Sequence, residues 1–340
     1  MLELMFNGPI LGWGILGSAL FIALMIDRFF GEPNYYLHPV VWMGQYLKLA
    51  GQYISPRGTS YKKYQRLGYF FIGMAAWLVG AVIVVFCAVY LQKLAFSLPP
   101  IIACLFLGLL IKPLFSWAFL SAEVFAVNTA LSHSLIDGRQ RLAMIVSRDT
   151  QALSPIQVRE SAIEALAENF NDSVIAPLFW LLLGGLPAAA LYRYANTADA
   201  MWGYRDLRNG RHWEWAGKFA AKMDDLLSWI PARISARLIL MQARQQHESV
   251  SQFTHLANEA KKTPSPNSGW PMGAMALALH IQLTKPAIYS LNMGANLATP
   301  NDISRACTLL QRLMNKLIFL CFISSLIPVI YLIIHADLNG

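Results

Sequence analysis

Hydrophobic positions along this chain fall into long unbroken runs, not the alternation of a half-buried strand. A helix that crosses a bilayer needs about 20 apolar residues. Four runs qualify: 9–26, ending at Asp27-Arg28; 67–92, following Lys62, Lys63 and Arg66; 94–111, ending at Lys112-Pro113; and 317–334, following Lys316. Lys112 closes its run and is expected to snorkel to the interface. The loop 27–66 carries six Lys/Arg, which places it on the cytoplasmic side with the N-terminus outside.

A fifth run, 174–192, is also apolar enough to cross. A crossing there would send the arginine-rich segment after it outward, against the positive-inside rule. Pro177 and Gly184-Gly185-Leu186-Pro187 are expected to break this run into two short helical pieces. The result is a re-entrant or bundle-buried hairpin, allowed where protein covers the backbone.

The polar stretches between the runs read as helix. Ser154 and Pro155 are a helix start, as N-cap and first position. Ile156, Ile163, Leu166, Ala167 and Phe170 then share one face. Residues 215–260 read as further helix, broken near Pro231. Lys261 to Pro271 is a loop, with a helix beginning near Met272, and no segment alternates as a strand. The fold class is an all-α integral membrane protein of about four transmembrane helices. A buried hairpin and large cytoplasmic helical segments, 27–66 and 112–316, complete a single membrane-embedded domain over 1–340.

Composition agrees: 56% of residues are hydrophobic and 14% charged, against about 25% charged in soluble domains. No basic n-region or cleavage site precedes the first run, which reads as an uncleaved span. Cys87, Cys104, Cys307 and Cys321 form no CxxC pair and read as small hydrophobes. The net charge of +8 marks cytoplasmic loops, and nucleic-acid binding is not expected. Gly12-Trp13-Gly14-Ile15-Leu16-Gly17 fits GxGxxG but follows no strand, so it reads as a close-packing surface. Gly210 to Lys218 has the wrong spacing for a phosphate loop.

Candidate chemistry is concentrated in residues 148–237. Arg148-Asp149-Thr150 comes first. Glu160, Glu164, Glu168 and Asp172 then follow at i,i+4 spacing, drifting around one side of a helix, with Asn169 and Asn171 at its end. A solvated acidic face is the plain alternative. Mg²⁺ takes one or two carboxylates plus phosphate oxygens, and Glu164, Glu168 and Asp172 are the leading ligand candidates. Asn196 and Asp199 sit at i,i+3, with Arg205 close behind. Asp224-Asp225 follows Lys218 and Lys222, and Arg233 and Arg237 are again i,i+4. Surface ion pairing would be worth little; arginines that grip phosphate bidentately are the functional reading. Ser265-Pro266-Asn267-Ser268-Gly269-Trp270-Pro271 reads equally as an ordinary turn or as a ligand-facing wall.

These residues, in this order, resemble the adenosylcobinamide-phosphate synthases of cobalamin biosynthesis, the CbiB family, over nearly the whole chain. The resemblance is carried by Asp27 with Gly31-Glu32-Pro33, His38-Pro39-Val40, Arg148-Asp149-Thr150 and Glu164-Ala165-Leu166-Ala167-Glu168-Asn169. Asp172 to Leu178, Asn196-Thr197 with Asp199, Gly203-Tyr204-Arg205, Asp224-Asp225, Pro231-Ala232-Arg233 and Ser265-Pro266-Asn267 continue it. It implies an ATP- and Mg²⁺-dependent ligase of the bacterial inner membrane with its active site on the cytoplasmic side. Such an enzyme joins the corrinoid adenosylcobyric acid to aminopropanol phosphate. The implied partners are those substrates, the lipid bilayer and other membrane enzymes of cobalamin assembly. The implied metal ligands are Glu164, Glu168, Asn169 and Asp172. Arg148, Arg205, Lys222 and Arg233 would hold phosphates, with Asn196, Asp199, Ser265 and Asn267 in the nucleotide and substrate site. Asp149, Asp224 or Asp225 would deprotonate the attacking amine or bind a second metal. Trp202, Trp213, Trp215 and Trp270 either pack on the corrin or belong to the core. Two other classes fit loosely: a Mg²⁺-dependent prenyl diphosphate transferase, and a non-enzymatic membrane regulator like the AmpE proteins.

Overall fold

The computed structural model describes residues 9–57, 65–244 and 253–337. Lys62 and Lys63 of the predicted cytoplasmic loop lie outside them. The chain is an all-α membrane protein, 77% helical. Twelve described helices are α1 (Pro9–Phe30), α2 (Pro39–Ile54), α3 (Arg66–Phe96), α4 (Pro100–Ile111), α5 (Trp117–His133), α6 (Leu135–Leu142), α7 (Pro155–Phe170), α8 (Ala176–Trp202), α9 (Lys218–Arg244), α10 (Phe253–Ala260), α11 (Gly269–Leu279) and α12 (Pro300–Asp337). Four helical stretches are long and apolar enough to cross a membrane: Arg66–Phe96, Pro100–His133, Pro155–Trp202 and Pro300–Leu326.

The spans differ from expectation in detail. The second and fourth runs lie within α3 and α12, and the first within α1. The run 94–111 is not one helix, because α3 continues to Phe96 and the turn falls at Ser97–Pro99. Proline at the first position then starts α4, which has only 12 residues, too short to cross alone. A 3₁₀ turn, Lys112–Leu114, carries the chain on towards α5.

The run 174–192 is interrupted, but not where Pro177 stands. α7 passes through a π-helical turn, Asn171–Ile175, into α8. Pro177 follows that turn directly, and the Ser173 carbonyl four residues before it, which has no proline N–H to accept, accepts the Ser116 N–H instead. The break is at Gly184 (φ −140°, ψ 19°) and Gly185 (φ 67°, ψ −160°). Only glycine adopts the second of these conformations freely. Gln92 of α3 fixes the kink, its Oε1 accepting the Leu186 N–H at 2.7 Å. The second piece is long, continuing to Trp202. Pro231 likewise leaves α9 a single helix. The expected absence of strands is corrected by two short antiparallel hairpins, β1 (Leu207–Arg208) with β2 (Arg211–His212), and β3 (Leu283–Lys285) with β4 (Tyr289–Leu291).

Two compact units share the chain. The first comprises 1–115, 177–227 and 318–340, and the second 116–176 and 228–317. In the first, α1 packs along α4; Gly108 permits this, since a Cβ there would lie 2.8 Å from Ile22 Cγ2. Gly17 does the same for α12, where a Cβ would meet Ser324 Oγ at 2.6 Å. The close-packing reading of the glycine motif therefore holds at Gly17, whereas Gly12 meets nothing within 4 Å. The core of this unit gathers Leu47, Trp77, Tyr194, Ala198, Trp202 and Trp213.

In the second unit, α7 starts as predicted. Ser154 Oγ accepts the Gln157 N–H while Gln157 Oε1 accepts the Ser154 N–H, a complete capping box. Ile163, Leu166, Ala167 and Phe170 are fully buried. α5, α6, α11 and the β3–β4 hairpin pack around this helix. The helix from Gly269 begins three residues before the predicted Met272.

Candidate functional site

In the second unit the acidic stripe of α7 is buried. Glu160 and Glu164 are enclosed, Glu168 and Asp172 partly so. A solvated acidic face is therefore excluded. Arg148 Nη2 donates to Glu164 Oε2 at 2.7 Å, and its Nη1 donates to Ser161 Oγ at 3.0 Å. The other Glu164 oxygen, Oε1, is buried and carries no hydrogen bond. Glu160 Oε2 accepts the Thr284 N–H at 3.2 Å from strand β3. Glu164, Asp172, Lys285 and Arg148 all lie in electrostatic range of Glu168. Tyr289 of β4 lies against Glu164; burial and that carboxylate push its phenol well above the ordinary value. The π-helical turn widens the backbone just after the stripe, and the Ser173 carbonyl accepts the Ser116 N–H at 3.3 Å. Such turns are frequent at functional sites.

Four carboxylates thus face two cations, Arg148 and Lys285, an excess that suits a divalent ion. Among the described residues, however, no three acidic, imidazole or thiolate groups stand close enough to cage a metal. The expected set does not act as one. Glu164 is taken by Arg148, and Asn169 Nδ2 donates back to the Ala165 carbonyl at 2.8 Å. Asp172 Oδ1 accepts the Asn171 amide N–H at 2.9 Å; Glu168 with Asp172 matches the one or two carboxylates Mg²⁺ takes when phosphate oxygens supply the rest.

Other predicted residues of this unit fare unevenly. Asp149 is exposed and its Oδ1 accepts the Gln151 N–H at 2.9 Å, a turn-forming bond. Ser265 Oγ accepts the Asn267 and Ser268 N–H groups, which makes it a loop staple; Asn267 is buried. Arg233 is clamped between two indoles, 4.0 Å from the Trp229 ring and 4.6 Å from the Trp270 ring. That is the stacking geometry an arginine favours, and it gives Trp270 a partner within the protein.

In the first unit, α8 and α9 bring a second set together. Asn196 Nδ2 reaches Asp224 Oδ1 at 3.4 Å. Burial pushes the Asp225 carboxyl above its ordinary value, and the nearby Arg205 guanidinium pulls it partway back. Asp199 lies on Gly203: a Cβ there would fall 1.9 Å from Asp199 Oδ1. Lys222 is exposed. Trp202 and Trp213 belong to the core, their rings stacked at 6.3 Å, and Trp215 carries Lys218 over its face at 3.9 Å.

A third group overturns the reading of Lys112. It does not snorkel, being 2% exposed, with Nζ 3.1 Å from Asp27 Oδ1 and 2.9 Å from Glu32 Oε2. His38 Nε2 faces the same Glu32 oxygen at 3.2 Å. Lys285 and Tyr289 are the site residues the sequence reading missed. Neither belongs to a recognisable motif, and only the return of the β3–β4 hairpin to α7 reveals them.

Fold and sites together define a multi-helix membrane protein with acidic and basic side chains buried against one another on its long helices. The family model described as "CobD/Cbib protein" matches residues 20–310, and the chain belongs to that family, which serves cobalamin biosynthesis. The "Probable cobalamin biosynthesis protein CobD" of Methanothermobacter thermautotrophicus is 38% identical over 275 residues, 81% of this chain and 86% of that one. The "Cobalamin biosynthesis protein CobD" of Halalkalibacterium halodurans is 34% identical over 321 residues, 91% and 97% of the two chains. No solved structure matches.

Proposed function

We propose that this protein is an amide ligase. It uses ATP to join a propionate carboxyl of adenosylcobyric acid to the amine of (R)-1-aminopropan-2-yl phosphate or a close amino alcohol, giving adenosylcobinamide phosphate. The reaction runs at the cytoplasmic face of the bacterial inner membrane. The observation that carries this reading is the buried α7 cluster, in which four carboxylates outnumber two cations beside a π-helical turn. Membrane-embedded charges of this kind are costly and functional by default.

A carboxylate is a poor acyl donor. Transfer of the ATP γ-phosphoryl group to it releases ADP and gives an acyl phosphate. The amine nitrogen then attacks that carbonyl, the C–O bond to phosphate breaks, and inorganic phosphate leaves. Mg²⁺, held by Glu168 and Asp172 when bound, would neutralise charge on the phosphates. Arg148 positions Glu164, and Lys285 supplies a cation beside Glu168. Asp224 or Asp225 takes the proton that the attacking ammonium must lose; a carboxyl raised above its ordinary value is a better base than a free aspartate. Arg205 and Lys222 bind phosphate, and Arg233 reaches it only by leaving its indole clamp.

Purified protein is given adenosylcobyric acid, aminopropanol phosphate and ATP, with and without Mg²⁺, and the product is read by mass spectrometry. Product is expected only with ATP and Mg²⁺, and at least tenfold less with Glu168→Gln or Asp225→Asn. Product without ATP, or full activity in both variants, overturns the reading.

A further inference from the structure

A cavity of about 350 Å³ opens in the first unit between the last turns of α2, the end of α8 and the β1–β2 hairpin. Its apolar wall is Leu47, Trp202 and Trp213, all buried. Its polar wall carries three cations, Lys48, Arg208 and Arg211, and no carboxylate stands among the lining residues described.

The hairpin sets two of these cations against each other. Asn209 and Gly210, with φ of 52° and 72°, form the two-residue loop that Asn-Gly favours in a tight hairpin. Arg208 and Arg211 flank it as cross-strand partners. Directly opposed residues share one face of a ribbon, and like charges placed so are destabilising. Asp206 and Glu214, on either side of the hairpin, are exposed and pair with neither arginine. The strands are also pinned to the end of α2. Ser55 Oγ donates to the His212 carbonyl at 2.7 Å, and the His212 N–H donates to the Pro56 carbonyl at 3.1 Å. Arg211 Nη1 donates to the Gln52 and Ser55 carbonyls.

Donors remain for a ligand. The Arg208 guanidinium lies 4.1 Å from the Tyr204 ring and donates no hydrogen bond to any described residue. Stacking occupies its face and leaves the edge open. Lys48 is exposed and has no partner among the described residues. Guanidinium forks match the oxygens of a phosphate, and a lysine adds a point charge. A phosphate dianion between the two arginines turns their repulsion into two attractions. Small-molecule pockets run from about 300 to 1,000 Å³, so this one suits a small ester and leaves no room for acyl chains.

We infer that this cavity is a phosphate site, which takes inorganic phosphate or the phosphate group of a small soluble monoester. Lys48, Arg208 and Arg211 take no part in the ligation chemistry proposed above, and binding here does not depend on it.

The full chain in detergent is titrated by calorimetry with inorganic phosphate and with glycerol 3-phosphate. Ionic strength is fixed and the pH is about 7.5, where a phosphate monoester is largely a dianion. Both anions are expected to bind. Arg208→Gln and Lys48→Met change side chains outside the core. Each is expected to keep its helical circular dichroism and to bind at least tenfold more weakly. Dioctanoyl phosphatidic acid presents the same group on acyl chains and is expected to bind no more tightly than glycerol 3-phosphate. No binding of the soluble anions, unchanged affinity in either variant, or tighter binding of the lipid overturns the proposal.

Discussion

Arg148 and Glu164 form a buried ion pair at 2.7 Å, in which the carboxylate is 1% exposed and the guanidinium also holds Ser161. The pair ties the segment before α7 to the third turn of that helix. Removing the cation alone strands a charge where water cannot reach it, which costs about 3–5 kcal/mol. Arg148→Ala is therefore expected to lower the unfolding temperature in detergent sharply. Arg148→Ala combined with Glu164→Gln is expected to recover most of the loss, since the stranded charge is gone. Equal destabilisation by the single and double variants would show that the guanidinium acts through packing instead.

Asp225 sets a pH dependence of the opposite sign to an ordinary surface carboxylate. Its folded-state value is raised by burial, beyond what Arg205 offsets. An acid raised in the folded state binds its proton more tightly there than in the unfolded chain. Its contribution is fully present below the unfolded value and is lost as pH rises through the folded one. The wild type is accordingly expected to lose stability relative to Asp225→Asn as pH rises above about 4. Arg205→Ala raises the Asp225 carboxyl further, so its loss should extend to higher pH. Thermal unfolding of the three proteins across pH 3.5–8 checks both statements.

Much of this architecture was legible in the chain, for reasons that differ element by element. Helix starts obey local rules, so Ser154 and Pro155 could be assigned before any contact was known. Breaks were harder, because a proline stops a helix only where its missing N–H matters. Pro177 is accommodated behind a π-helical turn and Pro231 within α9, while the break falls at Gly184-Gly185, held by Gln92 from a distant helix. Lys112 was misread for a similar reason. Its position at the end of an apolar run suggests an escape to water, and nothing local shows that Asp27 and Glu32 wait for it. That Glu164, Glu168 and Asp172 lie along one side of a helical stretch was legible by their spacing. Lys285 and Tyr289 were not, since a hairpin more than a hundred residues away brings them back to α7.

Gly203 tests whether Asp199 must hold its present position. A methyl group there would lie 1.9 Å from Asp199 Oδ1 and 2.7 Å from the Asp199 carbonyl, so the carboxylate must move. Gly203→Ala is expected to cost about 1–3 kcal/mol through overpacking and to cut turnover at least tenfold. Asp199→Asn keeps the shape and removes only the charge. If turnover survives in Gly203→Ala but fails in Asp199→Asn, the position of Asp199 is immaterial and its charge alone matters.

The α7 cluster should respond to a divalent cation without any substrate. Glu164 and Asp172 both raise the charge cost at Glu168, and Glu164 does so at Glu160, so an added Mg²⁺ relieves their mutual repulsion, and a ligand that binds the folded state alone stabilises it by about 2.7 kcal/mol at a hundredfold its dissociation constant. Mg²⁺ is therefore expected to raise the unfolding temperature of the wild type. Lys285→Met removes a competing positive charge from beside Glu168, and this variant should start less stable and gain more from Mg²⁺. Glu168→Gln and Asp172→Asn remove the two carboxylates proposed to hold the metal, and each should abolish most of the gain. Should Mg²⁺ stabilise those two variants as much as the wild type, the cation binds elsewhere, and the acidic stripe of α7 serves Arg148 and Lys285 alone.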